Sequence, residues 1–532
     1  MKRSMRLAIS AMICFMAFNI LPAFAEEKYA NEQGKVWICR DLEDGTLEVS
    51  GYVGEELTVE IPETIEGKTV TRVAGSPFAC ANLTTIVLPG SVTEIGANTF
   101  EQTAITSVTL PEGLKKIGEE AFAKSGITSI TIPESVTEIG KYAFVGCKNL
   151  AAVTLPGNLT SISEGMLYGC ESLKEITIPE SVESIGSEAF ENCSSLLSIR
   201  IPQRVAYIGQ EGDWACFGGC TSLAKFEVAQ DNANYSSVDD VLFDKACTRL
   251  IRFPSAKKAD QYEIPGNVSE IVSGAFYQCG GIKKITISKS VKTIGHHAFD
   301  GCKKLKSITI PKGVNRIEEY VFDNCPKLKT IKVDQKNEKY SAKSGVLMNK
   351  KQTKLLRCPE GKKGYYIVPT GVTTIGGDAF AHCVNLQGIE VRKNVTKIGG
   401  NVFYYHDEEK NYHPLPNLVF ERGSYATTYA KEQGVDYTST VKIKSLKAKT
   451  GGFTVKWSKF KYAQGYEIRY ATNPEMKNAV KIKVSADKKS KSVKKLTAGQ
   501  KYYVQVRPYL TDSATEKTVY SVWSKQKSVT AG

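Results

Sequence analysis

The sequence is poor in the residues and motifs that carry catalysis and metal binding. It has 5 His and 4 Trp among 532 residues, and no histidine lies at zinc-like spacing from a second pair of ligands. It also lacks the common motifs of serine hydrolases, P-loop nucleotide binding, zinc proteases and dinucleotide binding. The sequence therefore predicts no catalytic residue, no metal site and no cofactor, with an enzyme whose site is built from loops as an alternative.

Long hydrophobic runs are also scarce, and the one near membrane-spanning length lies at the N-terminus. There, a basic start is followed by the apolar run 7–21 and by the small residues Ala23 and Ala25. This order is typical of a secretory signal peptide, which we assign to residues 1–25, with an uncleaved anchor as the alternative. We therefore expect a protein that has no integral membrane span after cleavage and is either secreted or held non-covalently at the cell surface.

One phenylalanine position recurs along most of the chain. Successive occurrences are 22 or 23 residues apart, except for longer intervals of 27, 59 and 58 residues. A fixed period of this length predicts a solenoid in which each repeat forms one coil and packs only on its neighbours. The position is occupied by Phe78, Phe100, Phe122, Phe144, Leu167, Phe190, Phe217, Phe276, Phe299, Phe322, Phe380 and Phe403.

The residues of a single repeat indicate a β-coil. Within residues 170–190, the segment Leu173–Ile178 is rich in β-branched residues and alternates apolar with polar side chains, which predicts a short strand. Pro179 lacks the amide proton that would continue strand pairing, so it ends the strand. Val182 and Ile185 then return to the core. The predicted fold class is mainly β, a solenoid with parallel strands and repeats of about 23 residues.

Two of the longer intervals contain related insertions, near residues 229–264 and 334–368. Their apolar runs and polar turns match one another 105 residues apart. Each predicts a β-hairpin within the solenoid, with an independent functional loop as the alternative. A shorter insertion places Trp214 at a coil edge, where the indole either folds over the coil or anchors a partner.

Both ends of the solenoid need a cap, because an open end exposes apolar core. A hairpin pattern within residues 26–60 predicts the N-terminal cap. Ser424 as N-cap and Gly434 as the stop predict a short cap helix near residues 424–434. The predicted solenoid therefore spans residues 61–440.

The repeat resembles a known family. Its pattern is C-x-x-L-x-x-I-x-I-P-x-x-V-x-x-I-G-x-x-A-F, and it recurs almost intact at 147–167, 170–190, 279–299 and 302–322. This pattern is similar to the BspA-like leucine-rich repeat of bacterial surface proteins, and the resemblance covers roughly residues 50–440. It implies a bacterial protein that is secreted or displayed at the surface for adhesion or host contact, with no established catalytic residues.

Residues 441–532 have a different pattern, of short alternating strands with polar turns, which predicts a β-sandwich. Trp457 lies where the core tryptophan of a second strand belongs, Leu496 and Tyr502 have the tyrosine-corner spacing, and residues 520–524 match a closing strand. On these residues the segment resembles a fibronectin type III module. The resemblance implies a binding or spacing role without catalytic activity.

Positive charge is concentrated in this C-terminal segment. Residues 441–532 hold 21 Lys and Arg against 5 Asp and Glu, whereas residues 26–440 hold 46 against 51. Such a charge attracts polyanions, so we expect an anionic cell-wall polymer as a partner, with a solvated surface of no binding role as the alternative. Nucleic acid is not expected, because the protein is predicted to be exported and its charge is Lys rather than the Arg that reads bases.

Cysteines and histidines both follow the repeat. Six cysteines occupy one position, three residues before the leucine of the repeat: Cys147, Cys170, Cys193, Cys279, Cys302 and Cys325. Their fixed place predicts buried thiols that pack as small apolar side chains, with disulfides and a metal site as alternatives. Reduced thiols in an exported protein would indicate an anaerobic habitat.

His296 and His297 fall where other coils carry polar residues, so we expect a solvated pair.

The outward strand positions on the concave side form the candidate binding surface, since solenoids generally bind along that side. The candidate residues are Thr109, Thr131, Thr154, Thr177, Arg200, Thr286, Thr309 and Lys332. Glu227 and Glu390 occupy equivalent positions. Exposed strands also favour threonine for its propensity alone, which leaves a purely structural role as the alternative.

These observations predict a non-enzymatic, adhesin-like protein. It would present the solenoid surface to a host or bacterial surface protein or glycan, and residues 441–532 would act as a spacer or as a dock to the envelope. A carbohydrate-binding accessory protein is the second hypothesis.

Overall fold

The computed structural model describes residues 27–30, 36–54, 56–75, 83–209, 215–406, 411–415, 417–511 and 517–532. Over these residues the fold is mainly β, as predicted, and the one α-helix described occupies Tyr425–Glu432. The predicted signal peptide, Phe78 and Trp214 lie outside the described residues.

Most coils contribute two strands, a longer one and a two-residue one, and each pairs in parallel with the equivalent strand of a neighbouring coil. We call the longer strands the long-strand row: Thr58–Glu60, Thr85–Val87, Ser107–Thr109, Ser129–Thr131, Ala152–Thr154, Ser198–Ile201, Lys225–Val228, Gln261–Glu263, Lys284–Thr286, Ser307–Ile310, Thr330–Val333, Gly364–Ile367, Leu386–Val391, Leu418–Phe420 and Thr438–Ser439. The short-strand row comprises Glu94–Ile95, Lys116–Ile117, Glu138–Ile139, Ser161–Ile162, Ser184–Ile185, Tyr207–Ile208, Glu270–Ile271, Thr293–Ile294, Arg316–Ile317, Thr374–Ile375 and Lys397–Ile398.

The predicted strand at Leu173–Ile178 is wrong, because this segment has no strand pairing in the structure. Its neighbours Ala152–Thr154 and Ser198–Ile201 instead pair away from it, with the coils on their other sides. Leu167, in the repeat before this segment, takes the place of the repeating phenylalanine. The sequence pattern of the strand is intact, so the pattern alone does not determine whether the segment pairs.

Stacked aromatic rings fill the solenoid core. The ring centroids of Phe122 and Phe144 are 5.5 Å apart, and those of Phe276 and Phe299 are 5.3 Å apart. These four side chains are fully buried. Because each ring contacts rings or aliphatic side chains of adjacent coils, the core is built between coils rather than within them.

The two insertions form antiparallel strands that divide the core. Their strands are Tyr235–Val238, Val241–Asp244 and Arg249–Arg252 in the first insertion, and Tyr340–Lys343, Val346–Asn349 and Lys354–Arg357 in the second. Leu242 packs into the N-terminal part of the core, whereas Val241 and Phe243 pack into the central part. Each insertion is thus a layer of strands with apolar side chains on both faces. The two layers divide the hydrophobic core of the solenoid into three segments.

Strands and a helix cover the two ends. At the N-terminus, Val36–Asp41 pairs with Glu27–Ala30 and Leu47–Val53, and Lys68–Val73 leads into the short-strand row, with Thr64–Ile65 paired beside it. At the other end, the helix Tyr425–Glu432 buries Ala426 and Ala430. Ser424 is the N-cap residue of this helix, as predicted, but its side chain makes no capping hydrogen bond. Near this end, the strand Tyr404–His406 pairs with the strand Tyr412–Pro414. A 3₁₀ turn lies in the middle of the solenoid, at Ala215–Phe217.

Residues 441–532 form a separate set of antiparallel strands, which we call the C-terminal unit. Its first sheet contains Ile443–Lys449, Gly452–Trp457 and Ser490–Lys494. Its second sheet contains Gly465–Ala471, Val480–Ser485, Lys501–Thr511, Thr518–Tyr520 and Lys527–Thr530. Both sheets contribute to one core, which includes Trp457, Ile468 and Val504.

Candidate functional site

All eight candidate residues are exposed and lie on the outward side of the long-strand row or its continuation. Within the row, alternate side chains face opposite sides, so the residue between two outward positions is buried, as at Ile130 and Ile308. Thr131 is the direct cross-strand partner of Thr154, and Thr309 is the partner of Lys332. The structure therefore brings these pairs together.

The other candidate residues have different neighbours. Arg200 pairs with Glu227, and Thr286 pairs with Glu263. Thr177 is exposed but belongs to the coil that lacks a strand, so it interrupts the regular spacing of the row. The candidate surface is thus a series of short paired patches rather than one uniform array.

Threonines on and beside the row differ in how their hydroxyls are used. Thr106 and Thr128 donate hydrogen bonds to the main-chain oxygens of Thr84 and Thr106 in the preceding coil, at 3.4 Å each. The hydroxyls of Thr131 and Thr154 make no hydrogen bond to another residue of the described chain. Only the second kind has its full hydrogen-bonding capacity available to a ligand.

The charge of the surface changes along the row. From Ser107 to Thr154 the outward strand positions are all Ser, Thr or Ala and carry no charge. Further along, Arg200 forms an ion pair with Glu180 and borders an open cleft of about 440 Å³. Gln203, Gln230 and the backbone near Asp231 also line this cleft. The surface therefore has a neutral hydroxyl-bearing part followed by a charged part.

The C-terminal unit covers the last strands of the row. Ile367 and Val419 pack into the core of this unit, and Glu390 lies between them in the strand pairing. Glu390 has the outward position that was predicted, but it is completely buried because the C-terminal unit covers it. Its carboxylate accepts a hydrogen bond from the Tyr365 hydroxyl at 3.1 Å and lies 2.8 Å from Arg392 Nε.

Sequence reasoning missed a cavity of about 400 Å³ beside the second insertion. Its lining includes Tyr320, Asp323, Asp378 and the buried guanidinium of Arg357. Arg357 Nη2 lies 2.9 Å from Asp323 Oδ1 and 3.0 Å from Glu360 Oε1. Burial raises the pKa of the Glu360 carboxyl to about 8 despite this pairing. The insertion itself was the only signal in the sequence, because the cavity depends on how the coils on either side of it are spaced.

The repeating cysteines donate hydrogen bonds to carbonyl groups of the preceding coil. Cys147 Sγ lies 3.0 Å from the carbonyl oxygen of Phe122, and Cys193 Sγ lies 3.2 Å from that of Leu167. The same contact is made by Cys170, Cys220, Cys279, Cys302, Cys325 and Cys383. Each thiol thus links two adjacent coils.

These thiols are unreactive by their environment. All 12 cysteines among the described residues are free, and all except Cys247 are buried. Burial raises the pKa of Cys147 to about 11 and that of Cys220 to about 12. The part of the chain that the structure describes has no cluster of three or more potential metal ligands. The burial of these thiols and their hydrogen bonds to the preceding coil agree with the predicted packing role.

The two adjacent histidines differ from one another. His296 is about half exposed, as predicted, and its Nε2 lies 3.5 Å from Glu318 Oε2. His297 is partly buried, contrary to the prediction. Its Nδ1 is 2.8 Å from Asp300 Oδ2, and its ring stacks on Tyr320 with 5.1 Å between centroids. His297 is therefore part of the packing between coils rather than a solvated side chain.

No helix in the described ranges combines the length and the apolar character needed to cross a bilayer.

Comparison with known proteins identifies the repeat. The family model of the BspA type leucine rich repeat region matches residues 71–196, 115–251, 251–351 and 364–443. These matches end at the start of the C-terminal unit. No curated protein matches this sequence.

Solved structures show the same architecture. A leucine rich cell surface protein from Faecalibacterium prausnitzii is similar at 26% identity with a TM-score of 0.51, over 73% of this chain and 97% of that protein. The pneumococcal vaccine antigen PcpA is 18% identical with a TM-score of 0.44, over 78% and 99% respectively. A leucine-rich repeat protein from Eubacterium ventriosum is 22% identical with a TM-score of 0.35, over 71% and 94%. The family model and the similarity to the protein of Faecalibacterium prausnitzii confirm the predicted solenoid of leucine-rich repeats.

Proposed function

Because this chain belongs to the family of BspA type leucine rich repeat proteins, we propose that it is a non-enzymatic, adhesin-like binding protein of the bacterial cell exterior. The similar protein of Faecalibacterium prausnitzii is a cell surface protein. The basic and apolar segments within residues 1–25 support export of this chain as well. In this proposal the protein is secreted or held non-covalently at the surface, and it needs no cofactor.

The long-strand row is the proposed binding surface, and its ligand is a host or bacterial surface protein or glycan. The observation that carries this proposal is the neutral part of the row from Ser107 to Thr154. Its outward side chains are small and include the hydroxyls of Thr131 and Thr154, which the described chain does not use. Main-chain pairing with adjacent coils fixes the spacing of these hydroxyls, which lowers the entropy cost of binding a partner.

The C-terminal unit is the proposed spacer or envelope dock, built like a fibronectin type III module. Its first sheet contains strands one, two and five of the unit, and its second sheet contains the others. Trp457 is buried in the shared core. The Tyr502 hydroxyl accepts a hydrogen bond from the Thr497 amide at 3.3 Å, as the hydroxyl of a tyrosine corner contacts the backbone upstream. The excess of lysine supports an anionic cell-wall polymer as its partner.

A pair of matched variants tests the proposed surface. Thr131→Arg/Thr154→Arg places two bulky charges on the neutral part of the row. Thr137→Arg/Thr160→Arg makes the same change in the same coils, at exposed positions that precede strands of the short-strand row. The chain without residues 1–25, in both forms and unaltered, is applied to arrays of glycans and immobilised matrix proteins.

We expect the first variant to lose at least about tenfold in affinity for whichever ligand the unaltered protein binds, because central interface residues dominate binding energy. The control variant should bind like the unaltered protein. Equal binding by both variants would contradict the proposed surface. Conversion of a bound ligand into a product by the unaltered protein would contradict the non-enzymatic proposal.

A carbohydrate-binding accessory protein is the second candidate, and the cleft beside Arg200 favours it. Gln203, Gln230 and Arg200 offer planar polar groups that suit sugar hydroxyls. Gln203→Ala/Gln230→Ala should then abolish saturable glycan binding while leaving protein ligands unaffected. Glycan binding that survives this change would contradict the second candidate.

A further inference from the structure

The first sheet of the C-terminal unit has a lysine-rich outward side. The outward side of the first sheet consists of nine positions in three strands. Across the sheet they align as Lys449, Gly452 and Lys494, then Lys447, Thr454 and Ser492, then Ser445, Lys456 and Ser490. Four of these residues are lysines, four bear hydroxyls, and none bears a carboxylate. We call this set the lysine surface.

The opposite side of the same strands is core, which fixes the direction of the lysines. Phe453, Val455 and Val493 alternate with the outward residues and are almost fully buried. Because alternate residues of a strand point to opposite faces, the lysines between them face solvent, and all four are exposed. None of the four forms an ion pair with another described residue.

The two arginines of the second sheet are already engaged. Arg507 Nη2 lies 2.6 Å from Glu467 Oε2, and the guanidinium of Arg507 packs over Trp523 at 4.2 Å. Arg469 Nε donates to Gln505 Oε1 at 2.8 Å and also packs over Trp523. These contacts hold both arginines within the unit, whereas the four lysines of the lysine surface are exposed and open to a partner.

Hydroxyl groups complete the lysine surface. Thr454 and Ser492 lie opposite one another in the strand pairing, with 2.8 Å between their oxygens. Neighbouring strands are about 4.8 Å apart and alternate residues of a strand are about 7 Å apart. The lysines therefore flank a patch of hydroxyl donors, with backbone separations that range from about 7 Å to about 15 Å.

We propose that the lysine surface binds a linear polymer that carries phosphate groups. The proposal rests on the envelope-docking role proposed above and specifies its site and its ligand chemistry. Lysine ammonium groups bind phosphate as compact point charges, and the hydroxyls of Ser490, Ser492 and Thr454 donate to oxygens between them. Several phosphates spaced along one chain can occupy the patch at once, so affinity arises from repeated contacts.

The test compares two variants of equal net charge in the full chain without residues 1–25. The first variant changes the lysine surface, as Lys447→Gln, Lys449→Gln, Lys456→Gln and Lys494→Gln. The control changes four exposed lysines elsewhere in the same unit, as Lys477→Gln, Lys481→Gln, Lys525→Gln and Lys527→Gln. The probes are long-chain inorganic polyphosphate and, as a carboxylate polymer, polygalacturonate, with binding measured over a range of salt concentrations.

We expect the lysine-surface variant to bind polyphosphate at least about tenfold more weakly at low salt, and the control to change by less than about threefold. The slope of log affinity against log salt concentration should also become shallower by about three for the lysine-surface variant, since each lost phosphate contact removes roughly 0.7. Unchanged thermal unfolding midpoints of both variants would show that the unit is intact.

Equal weakening of both variants would overturn the inference, because it would show that binding depends on the overall positive charge of the unit rather than on the lysine surface. The proposal of envelope docking would not be contradicted by that result. Tighter binding of polygalacturonate than of polyphosphate would overturn the assignment to phosphate. Failure of the unaltered protein to bind either polymer or isolated cell-wall sacculi would overturn the docking proposal itself.

Discussion

The thiols of the repeat should react with a thiol reagent only when their coils open. Cys147 is fully buried, and burial raises its pKa to about 11. At about pH 8, a thiol with this pKa is ionised in roughly one molecule in a thousand, against roughly one in four for an unperturbed cysteine. Ionisation alone therefore slows the reaction by more than about a hundredfold, and exclusion of the reagent from the core slows it further.

Labelling in increasing urea measures this protection. The starting protein is the chain without residues 1–25, as Cys80→Ser/Cys247→Ser, because Cys247 is half-buried and Cys80 lies outside the described residues. Eleven cysteines then remain. We expect no labelling in native buffer on the time scale of free-thiol reaction, and labelling of all 11 in concentrated denaturant without reductant.

Two outcomes would refute this account. Labelling in native buffer at the rate of a free thiol would show that the coils do not seal the cysteines. Fewer than 11 reactive thiols in denaturant would show disulfides. The same position in earlier coils argues against any need for sulfur chemistry, because it holds Thr103 and Ser125, which are also buried. The Thr103 hydroxyl donates to the carbonyl of Phe100, three residues earlier, at 2.8 Å, so this position also accommodates a small hydroxyl donor.

Three further predictions concern the core. In urea denaturation, Cys193→Ala should lower the free energy of unfolding by about 1–2 kcal/mol and Cys193→Ser by less than about 1 kcal/mol. The serine variant should lose less because its hydroxyl, unlike the alanine methyl group, keeps a strong hydrogen-bond donor. A larger loss for serine than for alanine would contradict this. Phe299→Ala should cost about 3–5 kcal/mol, because it empties the space between rings whose centroids lie 5.3 and 5.8 Å away, and a cost below about 1 kcal/mol would be inconsistent with that packing. Raising the pH from about 9 to 11 should destabilise the fold, because unfolded thiols ionise there while the raised pKa keeps folded thiols protonated. The loss should approach about 1.4 kcal/mol per pH unit for each thiol whose pKa burial raises, such as Cys147 and Cys220, and unfolding free energies that stay constant over this range would disprove it.

The solenoid could be predicted from the sequence because its interactions repeat. A phenylalanine every 22 or 23 residues implies a stack, and the alternation around Ile130 and Ile308 correctly predicts which side chains face outward. The thiol position could also be predicted, since its spacing equals that of the coils. In each case one periodic pattern determines both the local conformation of a coil and its contacts with the adjacent coil.

Features that depend on a single coil or on contacts distant in sequence could not be predicted. The segment 173–178 has the full strand pattern, yet pairing requires that both neighbouring coils present their strands at the right distance, which the segment itself does not encode. The Ser424 side chain similarly has a favourable residue type, but its buried hydroxyl makes no capping bond. The strand pattern predicts that Glu390 is exposed, because the pattern of a repeat contains no information about the C-terminal unit that packs over this residue.

That burial explains how the two proposed binding surfaces are separated. Covering Glu390 removes its carboxylate from water, which is costly unless charged or hydrogen-bonding groups replace the solvent. Arg392 and the Tyr365 hydroxyl provide that replacement, and Tyr462 of the C-terminal unit donates to Asn417 Oδ1 at 2.6 Å beside them. Because these contacts occupy the last strands of the long-strand row, its open part ends near Lys332. The proposed ligand of the neutral part of the row and the proposed polymer of the lysine surface would therefore bind at separate places. The positive charge of the lysine surface does not require the neutral part of the row to be charged.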